Sequence, residues 1–432
     1  IVVTSPNWTL NGVNAFNATL VRGLRARGHD VTLLLTGSMW RDDKPLPIPD
    51  DLAVSHLALP SVATWPARWT ALQRSLEAAA PCLYLPNHDI AHSGISPALS
   101  SRVGILGIAH SDDPQHYDHA RRLAPWWNGV VGVSETIVRA LGAMDEVRAT
   151  PVTHIPYGVA VSARSDVASR ARQRSAPGEP LRIVYAARLE DRQKRVSDLI
   201  AIASALRARA VSFELTIAGD GPARGHLATA VREARLDDVV RLVGTVPMDQ
   251  MAELYRAHQV FLLPSAFEGL PLALLESMGQ GCVPLVSDIA SGVPELVRDG
   301  EIGYRVAVGD VDAFAERLAL LSREADLCAK MSSRAWEAVA RGPYGIDEMV
   351  YRYERLLGDI WSEVTSGRYA RRAADIVPPP GLDWRALLRA PLAALQTQAA
   401  RSVMKVPNMT ERLHELRCPI FGFWGVNDSF NP

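Results

Sequence analysis

The stretch Glu268-Gly-Leu-Pro-Leu-Ala-Leu-Leu-Glu276 decides how this chain is read. Upstream, Val260-Phe-Leu-Leu-Pro264 is a short apolar run that fits a buried strand. Downstream, the apolar spacing turns helical until Gly279 and Gly281 stop it, and Cys282-Val-Pro-Leu-Val286 follows as another buried strand. Glu268 therefore falls in a strand-to-helix loop, and Glu276 falls one to two turns inside the helix. Pro271 fits the first helical position, where its missing N–H costs nothing. Gly269 lets backbone approach a ligand closely. The free N–H groups of the helix start make an anion site. A carboxylate on each side of an anion site suits a ligand with both phosphate and hydroxyl groups.

Working outward, residues 1–35 repeat the same grammar. Ile1–Val3 is apolar and β-branched, and Thr4 to Gly12 is a loop. Val13, Phe16, Leu20, Val21 and Leu24 follow helical spacing, Gly28 supplies a stop, and Val31 to Leu35 is a continuous apolar run. That is a β-α-β unit, from which a parallel sheet follows. Further short apolar runs lie at Cys82–Leu85, Val103–Ala109 and Gly129–Val133. Residues 160–180 are poor in large apolar side chains and read as a linker. A second series follows at 182–187, 213–218, 239–243, 260–263 and 283–286. The fold expected is α/β: two doubly wound Rossmann-like domains facing across a cleft, residues 1–165 and 180–345. A helix over 346–365 and a tail over 366–432 complete the chain. Ligands bind such sheets at the carboxyl ends of their strands.

Composition bounds the function. The 46 Lys and Arg balance 47 Asp and Glu, so no basic face for nucleic acid is indicated. Four scattered cysteines form no C-x-x-C pair, which points to neither zinc nor a disulfide framework and fits a reducing cytoplasm. No apolar stretch approaches the roughly 18 residues of a membrane span. The chain opens Ile1-Val-Val, a strand already under way, so a few preceding residues are expected.

Candidate chemistry clusters at strand ends. Arg188 and Lys194 lie between the first strand of the second series and a helix starting near Val196. Two cations there would compensate a diphosphate leaving group, although Glu190, Asp191, Arg192 and Arg195 also allow a plain solvated loop. In Asn7-Trp-Thr-Leu-Asn-Gly12-Val-Asn14, Gly12 at a helix start allows a phosphate to approach, or serves simply as a turn residue. The pattern is not the G-x-G-x-x-G of nicotinamide proteins. His110 ends the run Val103–Ala109 and, at a strand's carboxyl end, points toward the cleft, although a lone histidine is more often structural. Asp220, in Gly219-Asp-Gly-Pro222, is expected to cap a helix. Trp65, Trp69, Trp126 and Trp127 lie in or near segments 37–75 and 110–125. They suit sugar stacking, core packing or surface anchoring equally.

Taken together these motifs resemble the retaining GT-B glycosyltransferases of glycosyltransferase family 4. The resemblance rests on Gly12, Arg27-Gly-His-Asp-Val31, Val131-Gly-Val-Ser134, Ile155-Pro-Tyr-Gly-Val159, Arg188 with Lys194, Gly219 to Pro222 and the Glu268 to Glu276 block. Pro294-Glu-Leu-Val297, Asp299-Gly300 and Gly303 extend it, and it covers roughly residues 1–365. It implies sugar transfer from a nucleoside diphosphate sugar, UDP- or GDP-linked, to a glycan, lipid-linked or small-molecule acceptor, with retained anomeric configuration. It further implies that Arg188 and Lys194 hold the donor diphosphate, Glu276 binds ribose hydroxyls and Glu268 contacts the donor sugar. Gly12 and the backbone of Gly269, Leu270 and Leu272 would approach phosphates and sugar, with His110 near sugar and acceptor. No cofactor and no essential metal are implied. Tyr157 stands where the family usually has asparagine, and no role transfers to it.

The alternatives are a catalytically silent sugar-nucleotide-binding module and, within the same fold, a nucleotide-sugar epimerase or a phosphorylase. Residues 384–406 are amphipathic with arginines, read as a surface helix in preference to peripheral contact with the inner face of the membrane. Leu416 to Asp428 resembles an α/β-hydrolase segment, but no G-x-S-x-G elbow accompanies it and no hydrolase activity is assigned.

Overall fold

The structure, a computed structural model, describes residues 1–9, 11–37, 45–59, 63–173, 179–371 and 373–379. The amphipathic stretch 384–406 and the hydrolase-like segment lie outside these residues. The first domain is a parallel sheet of β1 (Val2–Ser5), β2 (Thr32–Leu35), β3 (Val54–His56), β4 (Cys82–Leu85), β5 (Val103–Ala109), β6 (Gly129–Gly132) and β7 (Val152–His154). Their order is β3-β2-β1-β4-β5-β6-β7. Its helices are α1 (Gly12–Ala26), α2 (Trp65–Ala78), α3 (Pro114–Leu123) and α4 (Glu135–Gly142).

The connection to the second domain contains α5 (Arg164–Gln173), so the apolar-poor stretch read as a linker is partly helical. Val167 carries it, buried against the Gly281 backbone, whose own Cβ would stand 2.7 Å from the Val167 side chain. The second sheet comprises β8 (Leu181–Ala186), β9 (Phe213–Ala218), β10 (Val240–Gly244), β11 (Val260–Leu263), β12 (Val283–Ser287) and β13 (Tyr304–Val306), ordered β10-β9-β8-β11-β12-β13. Around it lie α6 (Ser197–Ala208), α7 (Arg224–Glu233), α8 (Met251–Arg256), α9 (Leu272–Gly279), α10 (Val293–Leu296), α11 (Val311–Arg323) and α12 (Ala325–Ala340). In both sheets the strand order reverses beside the first strand, which opens a crevice at the strand ends.

The apolar runs become strands because helices cover both sheet faces, leaving no polar side for alternation. Every residue of β4, β5, β6, β11 and β12 is buried. Helices leave the strand ends through side-chain caps. Asn11 accepts from Asn14 N at 2.8 Å, Asp113 from Gln115 and His116 N, and Ser134 from Ile137 N at 3.2 Å.

The chain crosses between domains twice, and the crossings touch. Val159 N donates to Tyr344 O at 2.8 Å, and Gly158 N meets Met349 Sδ at 3.0 Å. After the second crossing, α13 (Ile346–Thr365) lies on the first domain. Val350 fills the notch at Gly23, where a Cβ would stand 2.3 Å from its Cγ2. Glu354 pairs with Arg27 at 3.0 Å and His29 at 2.7 Å. Beyond α13 the chain continues over the first domain, where Arg371 donates to the carbonyls of Leu99, Ser100, Val103 and Trp126. Among the described residues no helix is long and apolar enough to cross a membrane.

Candidate active site

The second-domain side is built at the ends of β8 and β11. Acidic residues shape the loop after β8. Glu190 Oε1 accepts from Gln193 N at 3.0 Å and Lys194 N at 3.2 Å, and Asp191 Oδ1 accepts from Ser197 N at 2.8 Å. That turn aims Lys194 across to the loop after β11, where Nζ donates to Glu268 Oε1 at 2.6 Å. Both ends are sheltered, with side chains 16% and 6% exposed. Gln193 Nε2 completes the clasp, donating to Phe267 O at 3.1 Å and Glu268 Oε2 at 3.4 Å. Charges of opposite sign in reduced dielectric hold each other strongly, so Glu268 and Lys194 act as one unit.

Arg188 occupies the same loop with an exposed side chain. Its backbone is set by Tyr185, whose hydroxyl donates to Arg188 O at 3.1 Å, and by Gly219. At φ +137° a side chain on Gly219 would be strained, and its Cβ would stand 2.0 Å from Ala187 O. Glu276 lies one turn into α9, where Tyr255 Oη donates to Oε2 at 3.3 Å. Burial pushes the Glu276 carboxyl up to about 7 against the opposing effect of that hydrogen bond.

The first-domain side centres on His110, just past β5 and buried. Its Nδ1 lies 2.8 Å from Tyr157 Oη, and its Nε2 meets Asn87 Oδ1. Asn87 Nδ2 in turn donates to Asn17 Oδ1. Phe16 stands edge-on to the imidazole at 5.2 Å, and the Tyr157 ring lies near-parallel to it at 5.9 Å. Burial, then His116 and His88, hold His110 well below the ordinary histidine range, so it is neutral. Both ring nitrogens are engaged within the protein.

The two sides meet. A Cβ on Gly269 would stand 2.3 Å from His110 O, so only glycine permits the Glu268 loop to lie on the His110 backbone. A Cβ on Gly12 would reach Leu272 Cβ at 3.7 Å, which sets the start of α1 against the start of α9. Glu295 Oε1 accepts from Thr136 N at 3.1 Å, and Thr136 Oγ1 donates to Ser291 O at 3.2 Å. Leu270 is buried beside Gly292, whose N–H donates to Gly269 O at 2.7 Å.

The structure thus brings together Glu268, Lys194, Gly269, Leu270, Leu272, Gly12 and His110, with Arg188 and Glu276 at the margins of the same region. Several local expectations are corrected. Pro271 precedes α9 as its cap residue, because its ψ of 108° is extended and the helix begins at Leu272. Asp220 caps no helix; its carboxylate accepts from Gly221 N and pairs with Arg224 at 3.5 Å. Trp65, Trp69 and Trp127 are core residues, and segments 37–75 and 110–125, acceptor loops by the resemblance, contain α2 and α3. Sequence reasoning gave Tyr157 no role and missed Asn87, Gln193 and Tyr255. The tyrosine in Ile155-Pro-Tyr-Gly-Val159 was the one available signal.

Among the described residues no group of three or more His, Cys, Asp or Glu could hold a metal ion. Two parallel-sheet domains with this strand order, meeting at facing helix starts, define a GT-B fold. Residues 10–163 match the family model described as Glycosyltransferase Family 4, and residues 168–337 match that described as Glycosyl transferases group 1, so each domain matches a glycosyltransferase family model.

WcaL of Salmonella typhimurium, named for colanic acid biosynthesis, is 37% identical over 43% of this chain and 48% of its own. The amylovoran biosynthesis glycosyltransferase AmsK of Erwinia amylovora is 37% identical over 36% and 39%. N-acetyl-alpha-D-glucosaminyl L-malate synthase of Bacillus anthracis is 31% identical over 40% and 45%. The chain therefore spans less than half the length of these relatives. Solved structures share the fold. Sucrose-phosphate synthase from Thermosynechococcus elongatus has TM-score 0.65 and 18% identity, covering 84% of this chain and 98% of that one. Anabaena HepE in complex with UDP-glucose has TM-score 0.62 and 14% identity, covering 83% and 99%.

Proposed function

We propose that this chain transfers a sugar from a nucleoside diphosphate sugar, UDP- or GDP-linked, to a hydroxyl of a glycan or glycoconjugate, retaining the anomeric configuration. The observation that carries this reading is the Lys194–Glu268 clasp at the foot of α9, with Glu276 one turn deeper and His110 across the domain boundary. The matched relatives named for polysaccharide assembly support it, as do neighbours of the same fold crystallised with UDP or a UDP-sugar.

In this reading the diphosphate lies over the N-terminus of α9, whose N–H groups and dipole favour negative charge. Arg188 and Lys194 meet the charge that grows on the leaving group. A diphosphate drawing on Lys194 loosens its hold on Glu268, whose carboxylate then accepts from a donor-sugar hydroxyl. Glu276 accepts from the ribose hydroxyls. Gly12 and the backbone of Gly269, Leu270 and Leu272 let phosphates and sugar approach. The bond from the anomeric carbon to the leaving phosphate oxygen breaks, the acceptor oxygen bonds to that carbon on the same face, and the acceptor proton passes to the phosphate oxygen. The cations of the protein supply the compensation, so no metal enters this scheme.

The test is a panel of UDP- and GDP-sugars with detection of released nucleoside diphosphate, with and without glycan acceptors, and proton NMR of the product. Turnover with the anomer retained is expected. An inverted anomer overturns the stereochemical part. Binding of donor without consumption under every acceptor would favour the silent binding module, and an epimerised sugar nucleotide would favour the epimerase.

A further inference from the structure

Tyr157 stands where no role transferred from the resemblance, yet it holds one end of a buried chain of hydrogen bonds. Asn17, Asn87, His110 and Tyr157 are all buried. The assigned orientation of the Asn87 amide, with Nδ2 donating to Asn17 Oδ1, leaves Oδ1 to accept from His110 Nε2–H. That tautomer makes His110 Nδ1 the acceptor of the Tyr157 hydroxyl proton at 2.8 Å. The tyrosine also restrains the imidazole plane, since the rings are inclined by only 15°. Phe16 packs against both, at 5.2 Å from His110 and 5.5 Å from Tyr157.

The other end of Tyr157 is the interdomain crossing. Its neighbour Gly158 lies so close to the returning chain that a Cβ there would stand 2.7 Å from Ile346 Cα. Val159 bonds Tyr344 O one residue further on. His110 O is in turn the surface on which Gly269 of the second domain rests.

We infer that Tyr157 is a positioning residue that fixes the tautomer and plane of His110 from the interdomain crossing, at the residue whose backbone carbonyl the donor-sugar loop meets. The inference rests on the transferase reading for its effect on turnover, but not for the tie itself. The side chain reaches no substrate in this scheme; it acts through His110.

The experiment uses the full chain and Tyr157→Phe, which keeps the ring and removes the hydroxyl. Nitrogen-15 NMR of the imidazoles reads the tie directly, with His110→Ala assigning the signals. In the parent, His110 should show a protonated Nε2 and a hydrogen-bonded Nδ1, and in Tyr157→Phe the Nδ1 resonance should move toward that of a free imidazole nitrogen. Turnover should fall roughly tenfold with donor KM changed less than about twofold, the pattern of a group whose effect appears in the transition state. In the His110→Ala background the same substitution should cost nothing further. An unmoved His110 signal, or an equal loss of turnover in the His110→Ala background, overturns the proposal. A parent inactive with every donor would refute the transferase reading alone, and the imidazole signals would still decide on Tyr157.

Discussion

Replacing Lys194 with alanine separates two things this side chain does. In the structure its side chain is 16% exposed, its ammonium sits 2.6 Å from a Glu268 oxygen, and the Glu268 side chain is 6% exposed. Removing the cation takes away the 2.6 Å donor to that carboxylate and leaves the longer contact from the Gln193 amide at 3.4 Å. Deleting one partner of a fully buried ion pair costs about 3–5 kcal/mol. The partial exposure of Lys194 lets water reach the orphaned group, so roughly 3 kcal/mol is expected at this site. For a domain of this size that lowers the melting temperature by about 6–12 °C. Glu268→Gln should cost only about 1 kcal/mol, because Lys194 can turn its charge to solvent. The double variant Lys194→Met with Glu268→Leu should recover most of the lost stability, since no buried charge is left alone. Scanning calorimetry of the parent and three variants measures the stabilities, and nucleoside diphosphate release measures activity. All three variants should be inactive, including the stable double variant. A melting temperature for Lys194→Ala within a degree of the parent, or a double variant less stable than Lys194→Ala, would refute the reasoning about the clasp.

Glu276→Ala should weaken donor binding by about 1–3 kcal/mol through lost ribose hydrogen bonds, measured by calorimetry; unchanged affinity would remove Glu276 from the site. The elevated Glu276 pKa of about 7 predicts that ribose hydroxyls, which donate, select its ionised form. Donor affinity should therefore rise as pH passes upward through about 7, and Glu276→Gln should abolish that rise. Because the folded carboxyl binds its proton more tightly than the unfolded one, its contribution to stability is present at low pH and is lost as pH climbs toward about 7. Glu276→Gln should flatten this part of the stability profile in chemical denaturation. Gly269→Ala sets a methyl 2.3 Å from His110 O, so the domains should part by a measurable increase in radius of gyration, with activity falling at least about tenfold. An unchanged scattering profile would count against that contact.

The fold was legible because its strands are buried on both faces. Val103–Ala109 and Val260–Leu263 are continuous apolar runs, the pattern of strands in a parallel sheet covered on both faces. The Glu268 to Glu276 spacing was legible for a related reason: both residues sit within one local strand-loop-helix unit. Pairings between distant positions were not. Lys194 and Glu268 are brought together by adjacent strand ends, and Tyr157, His110 and Asn87 by three separate loops, so no periodicity records them. Charge patterning also misled locally. Glu190 and Asp191 look like a solvated acidic loop, yet they accept the backbone N–H groups that aim Lys194. The helix within 160–180 escaped notice because the segment Arg164–Gln173 has Val167 as its one large apolar residue and therefore carries almost no apolar stripe.

The two touching crossings have a mechanical consequence. A single covalent link would let the domains swivel about many axes, whereas two adjacent links, pinned by Val159 to Tyr344 and by Gly158 against Ile346, leave mainly one rotation, about the line through both. Along such an arc the Glu268 loop and the His110 backbone return to the same register each time they meet. The search for the closed arrangement becomes one-dimensional, and its chain entropy is already spent when the protein folds.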